Sequence, residues 1–449
     1  MTVRGLAQKD SDFLTRSSFT ELGLAEPLRR ALEAADYVNP TPIQAQAIPK
    51  VLAGRDLLGI AQTGTGKTAA FALPILQRLS ESRETAPHRG CRALILAPTR
   101  ELAVQIGDAF RSHGRHLGLT QTVVLGGVGQ RPQVRALARG VDILVATPGR
   151  LLDLVKQGHV KLQTAGILVL DEADRMLDMG FIHDVKKIVA LLPRRRQSLL
   201  FSATMPGDVA QLAERILDCP ERVEITPGTI TVERIEQRVH FLERSAKRDL
   251  LVELLRDQTM SRVIVFTRTK HGADRLARQL EWAGTSAEAL HGNKSQGARQ
   301  SALRAFRAGQ VRVLVATDIA ARGIDVDGVT HVVNYELPHE PESYVHRIGR
   351  TARAGAGGIA LAFCGPEERG QLRAIERLIK RPLTTVGETP ADSGSSPART
   401  PRVRKGGPKR SRQPQGLGRQ AAAHQKAGNH KPSRRRRRSH GGGQPRRAA

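Results

Sequence analysis

Two short apolar runs, Leu57–Ile60 and Ile167–Leu170, each end on a turn crowded with polar and small residues. Four consecutive apolar residues bounded by such turns fit a strand buried on both faces, the kind found in parallel sheets between helical layers. The first run opens into Ala61-Gln62-Thr63-Gly64-Thr65-Gly66-Lys67-Thr68, the second into Asp171-Glu172-Ala173-Asp174. Both clusters therefore stand at strand C-terminal ends, the rim at which open α/β sheets bind their ligands.

The first cluster is a phosphate cradle. Gly64 and Gly66 let backbone N–H groups close around phosphate oxygens at a helix N-terminus. Lys67 can then reach the β/γ-phosphates, and the Thr68 hydroxyl can ligate Mg²⁺. Ala61 stands where the strict pattern opens on glycine, and the two glycines that follow supply the flexibility. With the acidic cluster downstream, nucleotide hydrolysis is the expected chemistry.

Between residues 19 and 225 further apolar runs at 93–96, 122–125, 142–146 and 198–201 alternate with helical patterns, as in βαβ units. After Arg100 apolar residues recur at helical spacing until Gly114, which predicts a helix stop there. Pro74 falls inside the helix predicted from Lys67 to Leu79 and should kink or shorten it. A second series places strands at 262–266, 311–316, 331–334 and 358–363, with helices over 273–282 and 299–306. Turn signals at Thr226-Pro227-Gly228-Thr229 separate the two series. The expected architecture is α/β: an N-terminal extension 1–18, parallel-sheet domains 19–225 and 226–384, and a tail 385–449.

The chain carries a net charge of +28, which points to a polyanionic partner, with nucleic acid favoured over a membrane surface. From residue 391 onward 17 Lys and Arg face one acid, Asp392, so most of the charge lies in the tail. That tail holds no Phe, Trp or Tyr and includes the arginine run 434–438, a composition expected to be disordered. It can tether a polyanion electrostatically but cannot stack on bases. No apolar run approaches the ~20 residues of a membrane span, and no apolar segment follows the N-terminal charge, so a cytoplasmic protein is expected. Cys91, Cys219 and Cys364 are too scattered for a disulfide framework or a zinc site.

Read in order, the first half also holds Pro40-Thr41-Pro42-Ile43-Gln44, Pro98-Thr99-Arg100-Glu101-Leu102, Gly126-Gly127, Thr147-Pro148-Gly149-Arg150 and Ser202-Ala203-Thr204. The second half holds Val265-Phe266-Thr267, His291-Gly292 with Gln296 and Arg299, Thr317-Asp318, Ala321-Arg322-Gly323-Ile324-Asp325 and His346-Arg347-Ile348-Gly349-Arg350. With these motifs the chain resembles the DEAD-box ATP-dependent RNA helicases over roughly residues 19 to 380, and its short N-terminal extension and basic tail look most like the bacterial RhlE-like branch. The resemblance implies two tandem RecA-like domains, ATP with Mg²⁺ on the first, RNA across both, and cleft closure that completes the catalytic site. RNA-stimulated ATP hydrolysis would separate short duplexes and remodel ribonucleoproteins. An ATP-gated RNA clamp or assembly factor shares every motif, and a DNA translocase is disfavoured by the Gln44 motif.

The roles carried over are these. Gln44 offers a donor and an acceptor to the adenine edge, with Phe19 or Tyr37 as a nearby apolar face. Asp171 holds Mg²⁺, largely through water, and Glu172 positions the attacking water. Asp174 links to Ser202 and Thr204. Arg350 and Arg353, three residues apart on an expected helix, supply charge across the cleft, and Asp325 contacts the ribose. Thr99, Arg100, Gly127, Thr147 and Arg150, with Arg268, Arg299 and Thr317, contact RNA phosphates and 2′-hydroxyls. The family usually has glycine where this chain has Asp36 and Ala352, so the turn at Asp36 is expected to differ and Ala352 to be tolerated.

Overall fold

The computed structural model describes residues 18–62, 64–82, 84–225, 235–321, 326, 328–352 and 357–387. Thr63, Asp325, Arg353, the turn 226–229, the extension up to residue 17 and the tail from 388 lie outside the described residues.

Within them run fourteen strands in two sheets. The first sheet contains β1 (Leu57–Ile60), β2 (Cys91–Leu96), β3 (Gln121–Val124), β4 (Val141–Ala146), β5 (Ile167–Leu170), β6 (Gln197–Ser202) and β7 (Glu221–Glu224). The second contains β8 (Ile235–Phe241), β9 (Val263–Phe266), β10 (Ala287–Leu290), β11 (Val313–Ala316), β12 (His331–Asn334), β13 (Gly358–Cys364) and β14 (Thr384–Val386). The strand orders are β3-β4-β2-β5-β6-β1-β7 and β10-β11-β9-β12-β13-β8-β14. Every pairing is parallel.

Helices cover both faces of each sheet, which is why the central strands read as unbroken apolar runs. Along β2, Ala93 and Ile95 enter one core while Leu94 and Leu96 enter the other. Along β9, Val263 and Val265 pack on one side and Ile264 and Phe266 on the other. Three of the four strands absent from the sequence expectation, β7, β10 and β14, lie at sheet edges, and β7 and β10 each carry exposed residues. The edge strand β14 is exposed throughout and runs two residues past the 384 boundary drawn from composition.

Pro74 does not end its helix, which runs on from Lys67 to Glu81. A helix-interior proline costs about 3 kcal/mol. Burial of Phe71, Leu73, Ile75 and Leu76 around it, at about 1.5–3 kcal/mol each, exceeds that cost. The helix Arg100–His113 stops at Gly114 as expected. By contrast, the helix Pro341–Ile348 ends before Arg350, with Gly349 as its cap, so Arg350 sits in the following turn rather than on a helix shared with Arg353.

Asp36 and Ala352 both adopt left-handed backbone, at φ 57° and 56°. The turn at Asp36 thus takes a conformation that glycine adopts without strain. Left-handed backbone costs an L-residue roughly 1–2 kcal/mol, less for Asp than for Ala. Ala352→Gly is expected to raise the urea midpoint by an amount worth up to about 1 kcal/mol, after the added chain entropy of glycine is discounted.

Candidate active site

The strands β5, β6 and β1 are neighbours, so the turns that follow them share one rim. The loop after β1 turns on Gly64 and Gly66, at φ 84° and 90°, and Gly66 caps the helix Lys67–Glu81. A Cβ on residue 66 would lie 2.4 Å from Gln44 Nε2, so this approach requires glycine. The amide of Gln44 donates from Nε2 to the Gly66 carbonyl at 3.1 Å and accepts the Thr41 N–H at Oε1 at 2.9 Å. Each end of the amide keeps capacity for one further hydrogen bond. Thr65 Oγ1 donates to the Gln62 carbonyl at 2.7 Å, and Lys67 Nζ donates to the Ala61 carbonyl at 2.8 Å.

Of the two candidate aromatic faces, Phe19 is buried in the first-domain core while Tyr37 is 43% exposed. The rings pack 6.4 Å apart, and Tyr37 meets the edge of His113 at 5.5 Å. Burial, helped by the nearby Arg115, pushes His113 down to about 4. Its folded value lies below its unfolded one, so the unfolded chain binds the extra proton, and stability present above about pH 6.5 is lost as pH falls toward 4. The urea stability is expected to drop by about 2 kcal/mol from this group between about pH 7.5 and about pH 5, and His113→Leu is expected to flatten that part of the profile.

Asp171 is buried, and desolvation pushes its carboxyl up to about 7, with Lys67 pulling it down and Glu172 pushing it up. Its Oδ1 has no hydrogen-bond partner among the described residues. A buried carboxylate oxygen without a donor, at the rim that also carries the Thr68 hydroxyl, is a donor set that fits a hard divalent cation such as Mg²⁺. Glu172 has φ 55° and ψ 54°, strained backbone for a non-glycine residue, and it caps the helix Ala173–Asp178. Its Oε2 accepts from Arg175 Nη1 at 3.0 Å with both side chains buried. Arg175 is absent from the sequence expectation, although its place three residues on, one helical turn away, was a usable signal.

Asp174 is clasped by the turn after β6. Its Oδ2 accepts from Ala203 N at 3.2 Å, Thr204 N at 3.0 Å and Thr204 Oγ1 at 2.9 Å. Its own N–H donates to Ser202 Oγ at 3.3 Å, and that hydroxyl donates to the Thr204 carbonyl at 2.7 Å.

A small cavity bordered by Arg175, Asp318, His346 and Arg350 joins the two domains. Arg350 Nε donates to the His346 carbonyl at 3.2 Å. Arg347 is interior: it makes paired bonds to Asp318 at 2.6 and 2.7 Å, donates to Asn334 Oδ1 and the Glu336 carbonyl, and lies over the Phe266 ring.

The residues expected on RNA fall into groups. Gly127, at φ 77°, is where a Cβ would meet the Arg100 guanidinium at 2.2 Å, so its bare backbone admits that side chain. Thr99 and Thr147 cap the helices Arg100–His113 and Pro148–Lys156, and Thr99 Oγ1 accepts the Leu102 N–H at 3.2 Å. Arg150 reaches the Val128 carbonyl at 3.4 Å. Thr317 is tied to β10 by its N–H to Leu290. Arg299 pairs across the domains with Glu101 Oε2 at 2.9 Å, and Gln296 Nε2 donates to the other oxygen of that carboxylate at 2.9 Å. All three side chains are buried. Arg268 sits in a different neighbourhood, 3.8 Å from Glu336 and 3.5 Å from Glu368.

The DEAD/DEAH box helicase profile matches residues 41–212, and the helicase conserved C-terminal domain profile matches residues 246–355. The chain is 45% identical over 367 residues to the DEAD-box ATP-dependent RNA helicase CshA of Bacillus cereus, covering 82% of this chain and 69% of that protein. It is 43% identical to CshA of Bacillus subtilis over 375 residues, 84% of this chain and 75% of the relative. Among solved structures, S. cerevisiae Dbp5 bound to RNA and ADP BeF3 is similar with a TM-score of 0.74 and 34% identity, covering 83% of this chain and 96% of that one. With two parallel-sheet domains of RecA-like form and their motif turns facing one cleft, this chain belongs to the DEAD-box ATP-dependent RNA helicases.

Proposed function

We propose that this helicase hydrolyses ATP on the rim formed by β1, β5 and β6 and holds RNA by its backbone across both domains. The observation that carries this reading is the clasp of Glu101 by Gln296 and Arg299, which ties an RNA-contact motif of the first domain to one of the second. Lys67 with the turn 61–68 takes the phosphates, Gln44 and Tyr37 the base, and Asp325 the ribose. Thr68 and Asp171 would hold Mg²⁺, which when bound neutralises charge on the phosphate oxygens. Glu172 orients the attacking water, with Arg175 holding its carboxylate. Arg350 and Arg353 supply positive charge from the second domain, and the Asp174–Ser202–Thr204 network links the nucleotide rim to the rest of the first domain.

Thr99, Arg100, Gly127, Thr147, Arg150, Arg268, Arg299 and Thr317 form the RNA row, with Gly127 contributing room for Arg100. The basic tail acts as a further sequence-independent tether. The basic tail favours an RhlE-like placement, whereas the relatives reported above carry the CshA name. No helix among the described residues is long and apolar enough to cross a membrane; the cytoplasmic assignment rests on the polyanion-binding charge.

The test is the ATPase rate with single-stranded RNA, matched single-stranded DNA and no nucleic acid at one salt concentration. Stimulation by RNA alone is expected. Equal stimulation by DNA would remove the 2′-hydroxyl contacts, and no stimulation would overturn the RNA row.

A further inference from the structure

The C-terminal rim of the second sheet carries a basic cleft of about 400 Å³ that none of the roles above explains. It opens beside β9 and β12, between the segment that enters the helix Lys247–Leu254 and the first turns of the helix Lys270–Trp282. Its volume is within the range of small-ligand sites, about 300–1,000 Å³.

The charges around it do not balance. Lys247 is neutralised inside the protein by the fully buried Glu368, and it also donates to the carbonyls of Tyr335 and Phe363 at 3.0 Å each. Arg268, on the cleft wall, is steadied by Glu336, whose Oε2 also accepts the Arg268 N–H at 2.7 Å. Arg248 pairs only with its exposed neighbour Asp249. The side chains of Arg244 and Arg275 make no hydrogen bond or ion pair among the described residues, yet both line the same cleft. Glu336 and Glu367 are the acids of the lining, fewer than its four arginines and Lys247; like charges in such excess raise one another's energy, and an arriving polyanion relieves that repulsion. Guanidinium groups suit phosphate because their planar forks can bind two oxygens at once. The Tyr335 ring, also on the wall, offers a surface on which a base can stack.

We propose that this cleft is a second RNA-backbone site, which takes the phosphate of a nucleotide flanking the tract held across the two domains. The proposal rests on the RNA reading of the core, because Arg268 belongs both to the expected RNA row and to the cleft wall and so makes the two continuous. Arg244 and Arg275 grip the phosphate, and Tyr335 takes the adjoining base.

The test uses the full chain carrying Arg244→Ala together with Arg275→Ala, both exposed positions that the core does not need. Binding is measured by anisotropy against a short single-stranded RNA that fills only the core tract and a longer one that extends beyond it, over a salt series. On the longer RNA the double variant is expected to bind roughly ten-fold more weakly, with a salt slope smaller by about 0.7, the contribution of one lost phosphate contact. Binding of the short RNA and ATP turnover at saturating RNA are expected to stay at the level of the unaltered chain. Equal affinity of variant and unaltered chain for the longer RNA would overturn the site. So would an equal loss on both RNAs, which would mark a diffuse charge effect. Loss of inorganic tripolyphosphate binding with long-RNA affinity intact would instead assign the cleft to a free phosphorylated ligand and overturn the RNA proposal. Failure of the unaltered chain to bind either RNA would bring down the reading of the core, and this proposal with it.

Discussion

Glu172→Gln lowers ATP turnover by about two to four orders of magnitude, the range in which a positioned acid–base group contributes, while RNA held with ATP dissociates more slowly. The amide keeps the shape of the side chain and still offers an oxygen to Arg175 Nη1, which now bonds Glu172 at 3.0 Å. Binding and cleft closure should therefore survive while the activation of water is lost. Glu172→Ala is expected to behave differently, because it leaves the buried Arg175 guanidinium without its carboxylate, a loss of about 3–5 kcal/mol for a broken buried pair. The two variants, compared by single-turnover hydrolysis and thermal unfolding, separate the chemical role of the carboxylate from its structural one. Turnover by the Glu172→Gln variant within about three-fold of the unaltered enzyme would remove Glu172 from water activation, since that is far below the expected span.

Glu101→Ala reduces RNA-stimulated ATP turnover by about a hundred-fold or more while leaving nucleotide affinity in the absence of RNA within about two-fold. The Glu101 carboxylate is the first domain's half of the clasp, and its removal strands the Arg299 guanidinium in a buried position. That penalty falls on the joined arrangement of the two domains rather than on the nucleotide rim. Glu101 also adjoins Thr99 and Arg100, so loss of RNA contact must be told apart from loss of the clasp. A double-mutant cycle does this: Glu101→Ala and Arg299→Ala together should cost little more than either alone, whereas two independent contacts would add. Additive losses would show that the pair does not hold the domains together.

The local rules were legible wherever one side of a decision dominated. Ile167–Leu170 is a strand at the limits the apolar pattern set, because a central parallel strand buries both faces and here leaves no polar residue to blur its ends. Edge strands such as Glu221–Glu224 carry alternating exposure over four residues, too short a signal to stand above turn-like neighbours. Pro74 does not shorten its helix, because propensity sees only the missing N–H whereas the length is set by side chains buried on all sides of that helix. Arg350 was placed on a helix by its spacing from Arg353, but Gly349 ends the helix first.

The amino-acid sequence by itself determined the chemistry at the rim: the glycines that admit phosphate, the lysine and hydroxyl that follow them, the acidic turn after a buried strand, and the family those motifs belong to. These are local matters, decided within one strand and the turn it feeds. Only the tertiary structure decided which of the charged residues are free to act. Arg347 is spent on Asp318 and Asn334, and Glu101 meets Arg299 from 198 positions away in the chain. A charge has the same sign wherever it stands, but its burial and its partner depend on strand order and on how the two domains meet, and no spacing along the chain encodes either.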